Sequence, residues 1–472
     1  MKCRIALLCS VALACGGIAF ADLPRAPQPS EQVKVLARDI LRNMIETRST
    51  QDVGSTGLAE ALAARFHAAG FSPDDVALLA PPDHPTKGNV VVRLHGRGQA
   101  RPLLYITHLD VVEARPEDWS VDPFTLTEKD GWFYGRGTAD IKGDGAALAT
   151  DLIRLKSENF VPDRDIVVAF TADEEAGGGA NGVDWLLRAH RDLIDAEFVL
   201  NPDAGGGISK GGKRLYIGLE TSEKIYVTFR AEVTNKGGHS SLPEPDNAIY
   251  RLAAGLGRLA KFNFPVHLGV TTRAWFAEMA RLESGQVRRD MEAVTRPDPD
   301  PAAIRRLERQ VLYNAMLHTT CVATLIDGGQ AENALPQRAG AAIQCRMLPE
   351  DSQAGTQALL EKMFADPRIK LSVITPARPA PESVPAPALM ARMRSVAASV
   401  WPDVPVVPDM DSGASDSIFT RGAGIPTFGI SGLFNDIDDN RMHGRDERIS
   451  VDNFYEDVEF TYRLLKAFSA TE

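Results

Sequence analysis

Cysteine is scarce in this chain of 472 residues: there are five, and Cys3, Cys9 and Cys15 all fall within the first 21 positions. The pair that remains, Cys321 and Cys345, is too small a set for a disulfide-built scaffold. Long apolar runs are missing as well. The stretch Ile5 to Ala14 is too short for a stable membrane anchor. With Lys2 and Arg4 before it and Ala19-Phe20-Ala21 after it, it has the make-up of a secretory signal peptide over residues 1–21. A lipoprotein signal at Cys15 would want a small residue where Leu13 stands. A periplasmic or secreted location is therefore expected. Positive charge is in deficit too: 52 Lys and Arg face 63 Asp and Glu. Loss of Lys2 and Arg4 with the leader moves the net charge from −11 to about −13, which disfavours nucleic acid as a partner. Internal repeats are absent. What is present is globular, 44% hydrophobic and 24% charged, and at roughly 150 residues per domain the length suggests two or three domains.

Helical spacing runs through Glu31 to Glu46 and Gly57 to Gly70, and again through Gly143 to Lys156. Between and after these lie short β-rich runs, Asn89 to Leu94, Leu103 to Thr107 and Asp165 to Phe170. Strands alternating with helices predict an α/β layer with parallel strands at its centre. From about Thr221 the pattern changes. Lys224 to Val233 alternates, Asn247 to Lys261 is helical, Thr319 to Ile326 and Ala341 to Met347 read as paired strands, and Ser352 to Phe364 is helical. This predicts a smaller α+β domain at 221–375, with a helical insertion near 265–317, set into a larger one made of 31–220 and 376–472. The proline-rich Pro376 to Pro387 reads as the return linker. Cys321 and Cys345 flank a hairpin loop around Asn333, so they either bridge opposite strands or stay free as small hydrophobes.

Ligands of open α/β sheets gather beyond the carboxyl ends of strands, and polar residues follow these apolar runs consistently. His108 and Asp110 follow Leu103 to Thr107, Glu174 and Glu175 follow Ile166 to Thr171, and Asp203 follows Phe198 to Asn201. Asp140 follows the turn Gly135-Arg136-Gly137, and His443 lies in a loop before the last helix. Any one of these reads most simply as a turn or surface residue. Together they would make a site for Zn²⁺ or a similar divalent ion, which would offset the repulsion within Asp173-Glu174-Glu175. The runs Gly177-Gly178-Gly179 and Gly205-Gly206-Gly207 allow close backbone approach beside them.

The motifs HLDVV from His108, YGRGTADIKG from Tyr134, TADEEAGGG from Thr171, NPDAGG from Asn201, GGHSS from Gly237 and HGRDERI from His443 carry a family likeness. In these the chain resembles the dinuclear zinc exopeptidases and amidohydrolases, which include aminoacylase, glutamate carboxypeptidase and succinyl-diaminopimelate desuccinylase. The resemblance implies a mixed, mainly parallel sheet sandwiched by helices, with an inserted α+β lid. It implies two divalent ions, foremost Zn²⁺, with Co²⁺ or Mn²⁺ as alternatives. Asp140 would bridge them, with His108 and Asp203 completing one site and Glu175 and His443 the other. A cis peptide after Asp140 is implied too. Asp110 would support His108 by accepting its other ring N–H through its carboxylate. Successive side chains of an extended segment point to opposite sides, which leaves Glu174 free to act as general base on a water. Asp173 would orient that turn.

By the same resemblance His239 is an oxyanion donor delivered by the lid, often that of a partner subunit, which makes a homodimer through the lid part of the expectation. Asn333 and Arg346 match lid positions that contact the substrate carbonyl and carboxylate, and Ser415 lies in a Gly-rich substrate loop. Ile418 departs from the arginine found in many secreted carboxypeptidase relatives. Glu447 and Arg448 would support the His443 loop. The expected substrate is a small peptide or N-acyl amino acid. The competing readings are an aminopeptidase or dipeptidase on the same metals, or a metal-dependent binding protein without catalysis.

Overall fold

The strand Leu103–His108 is buried at every position, which is how a central parallel strand covered on both faces reads. In the computed structural model, which describes residues 26–175 and 179–471, it runs parallel to Ile166–Thr171 on one side and to Phe198–Asn201 on the other. The expected signal peptide, and Gly177 and Gly178, lie outside the described residues. Among the described residues the full sheet has ten strands. Val76–Leu79 and Asn89–Leu94 extend one flank; Thr427–Gly429, Lys213–Glu223, Gly206–Lys210 and Phe434–Asp436 extend the other, with Val406–Asp411 pairing to Lys213–Glu223. The sheet is mixed: its centre is parallel and its outer pairs include antiparallel ones.

Alternation along the central strand feeds two separate cores. Leu103 and Tyr105 point into one with Met44, Leu152, Phe454 and Leu464, under the helices Glu31–Glu46, Gly143–Ser157 and Val451–Ser469. Leu104 and Ile106 point into the other with Val183, Leu186 and Ile194, under the helix Gly182–Ala189. Burying each such aliphatic side chain stabilises the fold by about 1.5–3 kcal/mol. Polar chemistry is thereby left to the strand ends.

A second sheet holds Thr320–Gly328, Arg338–Met347, Ile225–Thr234 and Lys370–Thr375 in that order, all antiparallel. The helices Ala248–Leu259 and Gln353–Phe364 cover it, with Phe229, Leu252, Ile343 and Phe364 in its core. Cys321 stands opposite Cys345 on neighbouring strands and the two are joined by a disulfide. The helices from Val270–Leu282 to Val311–Leu317 share a core with Val407 and Met410 of the large sheet rather than with the small one. Among the described residues no helix is long and apolar enough to cross a membrane.

Candidate metal centre and active site

His108 is the last residue of its strand and is buried. Its Nδ1 meets the backbone carbonyl of Asp110 at 2.9 Å, which leaves Nε2 facing the Asp140 Oδ1 at 3.1 Å and the Asp203 Oδ1 at 3.6 Å. The expected orienting group was the Asp110 carboxylate; that carboxylate stands 3.9 Å off. It accepts instead the backbone amides of Glu174 and Glu175, at 3.2 and 3.1 Å, and so fixes the acid-rich turn.

The Asp140–Ile141 peptide is cis. From it the Asp140 carboxylate is shared: Oδ1 faces His108, and Oδ2 lies 3.0 Å from the His443 Nε2. His443 also meets Glu175, at 3.0 Å from Oε2. Glu174 falls with His108 and Asp203, and Glu175 with His108 and Asp140, in two groups whose donor atoms lie within 4.8 Å of one another. Seven residues expected at the site, His108, Asp110, Asp140, Glu174, Glu175, Asp203 and His443, are thus brought together. Imidazole and carboxylate donors in this mixture suit Zn²⁺ and similar borderline ions. Gly205 shows why glycine follows Asp203: at φ +76° a Cβ would stand 2.5 and 2.6 Å from the carbonyl oxygens of Gly218 and Gly429.

The electrostatics follow from crowding. Burial by itself lowers the pKa of the His108 imidazole, but Asp140 and Asp203 outweigh it and hold the ring well above its ordinary value. The Asp140 and Glu175 carboxylates push His443 up to about 10. Glu174 is raised well above an ordinary glutamate, first by burial and then by Asp203 and Asp416. Uncompensated carboxylates at this density call for cations.

Asp173, at φ +64°, orients the turn: its carboxylate binds the Lys87 ammonium at 2.5 Å and accepts the amide of Ala180 at 3.3 Å. Two supporting acids escaped sequence reasoning or had another role there. Asp416 is buried and receives Thr171 Oγ1 at 3.3 Å and Asn181 Nδ2 at 2.5 Å, bracketing the acid turn at both ends. Glu447 accepts the amides of Gly137, Ala139 and Asp140, and pairs with Arg136, which donates to the Gly444 carbonyl beside His443 at 3.0 Å. The Asp in Ser415-Asp416-Ser417 was the available signal for the first; for the second, only its place in HGRDERI.

Beside Glu174 lies a hollow of about 500 Å³ that Tyr226, Thr375, Ser415 and Ile418 help to line. Ser415 is buried, with its amide and hydroxyl both on Glu223 Oε2, at 2.8 and 3.2 Å. Arg346 lies over the ring of Tyr226 at 5.0 Å, and its buried Nη1 has no hydrogen-bond partner among the described residues. His239 and Asn333 are exposed at a small two-stranded sheet formed by distant segments, where Ser240 N meets the Asn333 carbonyl at 3.0 Å and His239 Nδ1 meets Ser241 Oγ at 2.7 Å. Among the described residues, no hydrogen bond or ion pair joins them to the cluster.

A mixed α/β sheet whose strand ends gather two imidazoles and several carboxylates defines a hydrolase of the metallopeptidase type. The comparisons make this specific: the chain belongs to the peptidase family M20/M25/M40, whose model matches residues 104–467, and it is an enzyme acting on C–N amide bonds. It is 28% identical over 388 residues to the N-fatty-acyl-amino acid synthase/hydrolase PM20D1 of Homo sapiens, covering 78% of this chain and 74% of that protein. It is 30% identical over 378 residues to the probable carboxypeptidase S-like 2 of Dictyostelium discoideum, covering 78% and 71%. In fold it resembles the M20 family metallo-carboxypeptidase Sso-CP2 of Sulfolobus solfataricus, with a TM-score of 0.63 and 20% identity over 93% of this chain and 100% of that one.

Proposed function

We propose that this chain is an exported, dinuclear metal-dependent hydrolase that cleaves a small peptide or N-acyl amino acid at one amide bond. The observation that carries the reading is the division of the Asp140 carboxylate, one oxygen toward His108 and the other toward His443. His108 and Asp203 would hold one ion and Glu175 and His443 the other, Zn²⁺ being the first choice for such donors. Two divalent cations so held would polarise the scissile carbonyl and lower the pKa of a water toward about 7. Glu174 takes that water's proton and returns it to the leaving amine. The Arg346 guanidinium, whose buried Nη1 has no hydrogen-bond partner among the described residues, is the group that would take a substrate carboxylate, since such a fork can give two parallel hydrogen bonds. The names of the human and Dictyostelium relatives fit both an acyl amino acid and a carboxypeptidase substrate.

Export is supported by the composition of residues 1–21 and by the Cys321–Cys345 bond, which persists in oxidising compartments. A homodimer through the small sheet is supported by its outer strand, where Leu325 and Ile326 are 70% and 68% exposed, and by the exposure of His239 away from the cluster. Elemental analysis is expected to find two ions per chain. Glu174→Gln should keep them while losing about 10²-fold or more in turnover. A protein without metal that still cleaves dipeptides or N-acyl amino acids would overturn the proposal.

A further inference from the structure

The hollow beside Glu174 has a neighbour with which it shares part of its lining. Asp184, Arg378, Ile418 and Phe419 line it and also line a second hollow of about 390 Å³. The second continues to Leu187, Arg188 and Arg191. Ile418 and Phe419 give the shared lining an apolar wall beside Arg378 and Asp184, and the second hollow adds Leu187 and the guanidiniums of Arg188 and Arg191. There Arg188 and Arg378 share a single carboxylate, that of Asp184, at 3.1 and 3.3 Å, while Arg191 pairs with Asp195 at 3.3 Å. One acid between two guanidiniums leaves positive charge uncompensated, on a chain whose net charge is −11. Arg378 is 59% exposed and lies over the ring of Phe419 at 5.0 Å, with its charge open to a ligand.

From this we infer that the channel from Glu174 to Arg188 binds the acyl arm of the substrate, and that the preferred arm is apolar along its length and anionic at its tip. The inference rests on the amide-hydrolase reading above. On that reading the amino-acid carboxylate would be taken at Arg346, which stacks on Tyr226 at the edge of the first hollow, and the acyl group would be the part that enters the channel. Ile418, Phe419 and Leu187 would cover the methylenes on one side, and the exposed guanidiniums would select a terminal carboxylate over a methyl group.

The test is steady-state kinetics on amides of one amino acid carrying three acyl arms: acetyl, a medium-chain monoacid, and the diacid of the same length. The wild-type protein is expected to show the highest kcat/KM on the diacid arm. Arg378→Ala and Arg188→Glu are each expected to lower the diacid-to-monoacid ratio of kcat/KM about tenfold, mainly through KM, as for loss of one charge-assisted hydrogen bond. A ratio at or below one in the wild type, or a ratio that neither variant changes, overturns the channel while turnover of the acetyl substrate leaves the hydrolase reading standing. If the metal-loaded protein cleaves none of the three, that reading falls. The channel is then judged by calorimetry with the free diacid and monoacid: tighter diacid binding lost in Arg378→Ala upholds it, and equal binding overturns it.

Discussion

The carboxylate of Glu447 receives the backbone amide of Asp140 at 3.1 Å, from 307 positions away in the chain. The same carboxylate takes the amides of Ala139 and Gly137 at 2.8 and 3.0 Å and pairs with the Arg136 guanidinium, all of it buried. The residue that divides its side chain between two imidazoles is thus held through its main chain by an acid that touches neither imidazole. Glu447→Ala would strand those amides and an arginine together. We expect a loss of about 3–5 kcal/mol in stability, as for breaking a buried pair, and metal binding weakened about 10–100-fold. Urea unfolding and metal titration of the same variant check both.

A different buried group makes stability depend on pH. Arg421 is fully buried between Glu220, at 2.6 Å, and Glu223, at 3.5 Å, so two carboxylates share one guanidinium. Burial raises Glu220 to about 7 despite Arg421, from an ordinary value of 4.5. Between those values the folded state holds a proton that the unfolded state has released. Its stabilising contribution is therefore complete below about pH 4.5 and is lost as pH rises through about 7, with a slope of at most about 1.4 kcal/mol per pH unit. Glu220→Gln is expected to flatten this fall. Urea midpoints measured from pH 5 to 8 will show it, and parallel curves for the variant and the wild type would remove the assignment.

Most of the candidate metal-binding set was legible because its members come at or soon after the end of an apolar run or a glycine turn, as His108 does after Leu103 to Thr107 and Glu175 after Ile166 to Thr171, whereas His443, in a loop, was legible only through the motif HGRDERI. Partnerships across the chain were not. Asp416 meets Thr171 across 245 positions, and although an acid between two serines was visible, no local pattern names so distant a partner. The role of Asp110 was misplaced by a few ångströms, since a carbonyl and a carboxylate of one residue compete for the same ring nitrogen. Helical spacing announced helices near 265–317 but not their packing against Val407 and Met410, because periodicity marks an apolar face without naming what covers it.

The disulfide offers a simpler test. Cys321 and Cys345 close a loop of sequence separation 24 within the small sheet. Restricting the unfolded chain over a loop of that size stabilises by about 3 kcal/mol. Replacing both cysteines by alanine is expected to lower the unfolding midpoint and to abolish its response to reductant. The metal cluster, built on the other sheet, should load as before; metal analysis of the variant checks that independence.

The exposed His239 poses the sharpest question about assembly. Its ring leans on Ser241 at 2.7 Å, and the two-stranded sheet that carries it pairs Gly238 with Leu335 and His239 with Ala334. If it donates to the developing oxyanion, His239→Ala should lower kcat by about 10²-fold with metal content unchanged. Whether it acts on its own chain or a partner's is decided by mixing. Glu174→Gln retains His239, and His239→Ala retains Glu174, so each lacks what the other keeps. If the donor crosses between subunits, equal amounts of the two variants, dissociated and reassembled, place one complete site in each mixed dimer. Activity should then recover to about a quarter of the wild-type level, since half of randomly formed dimers are mixed. No recovery, with mixed dimers demonstrated by mass spectrometry, would mean that each lid serves its own active site.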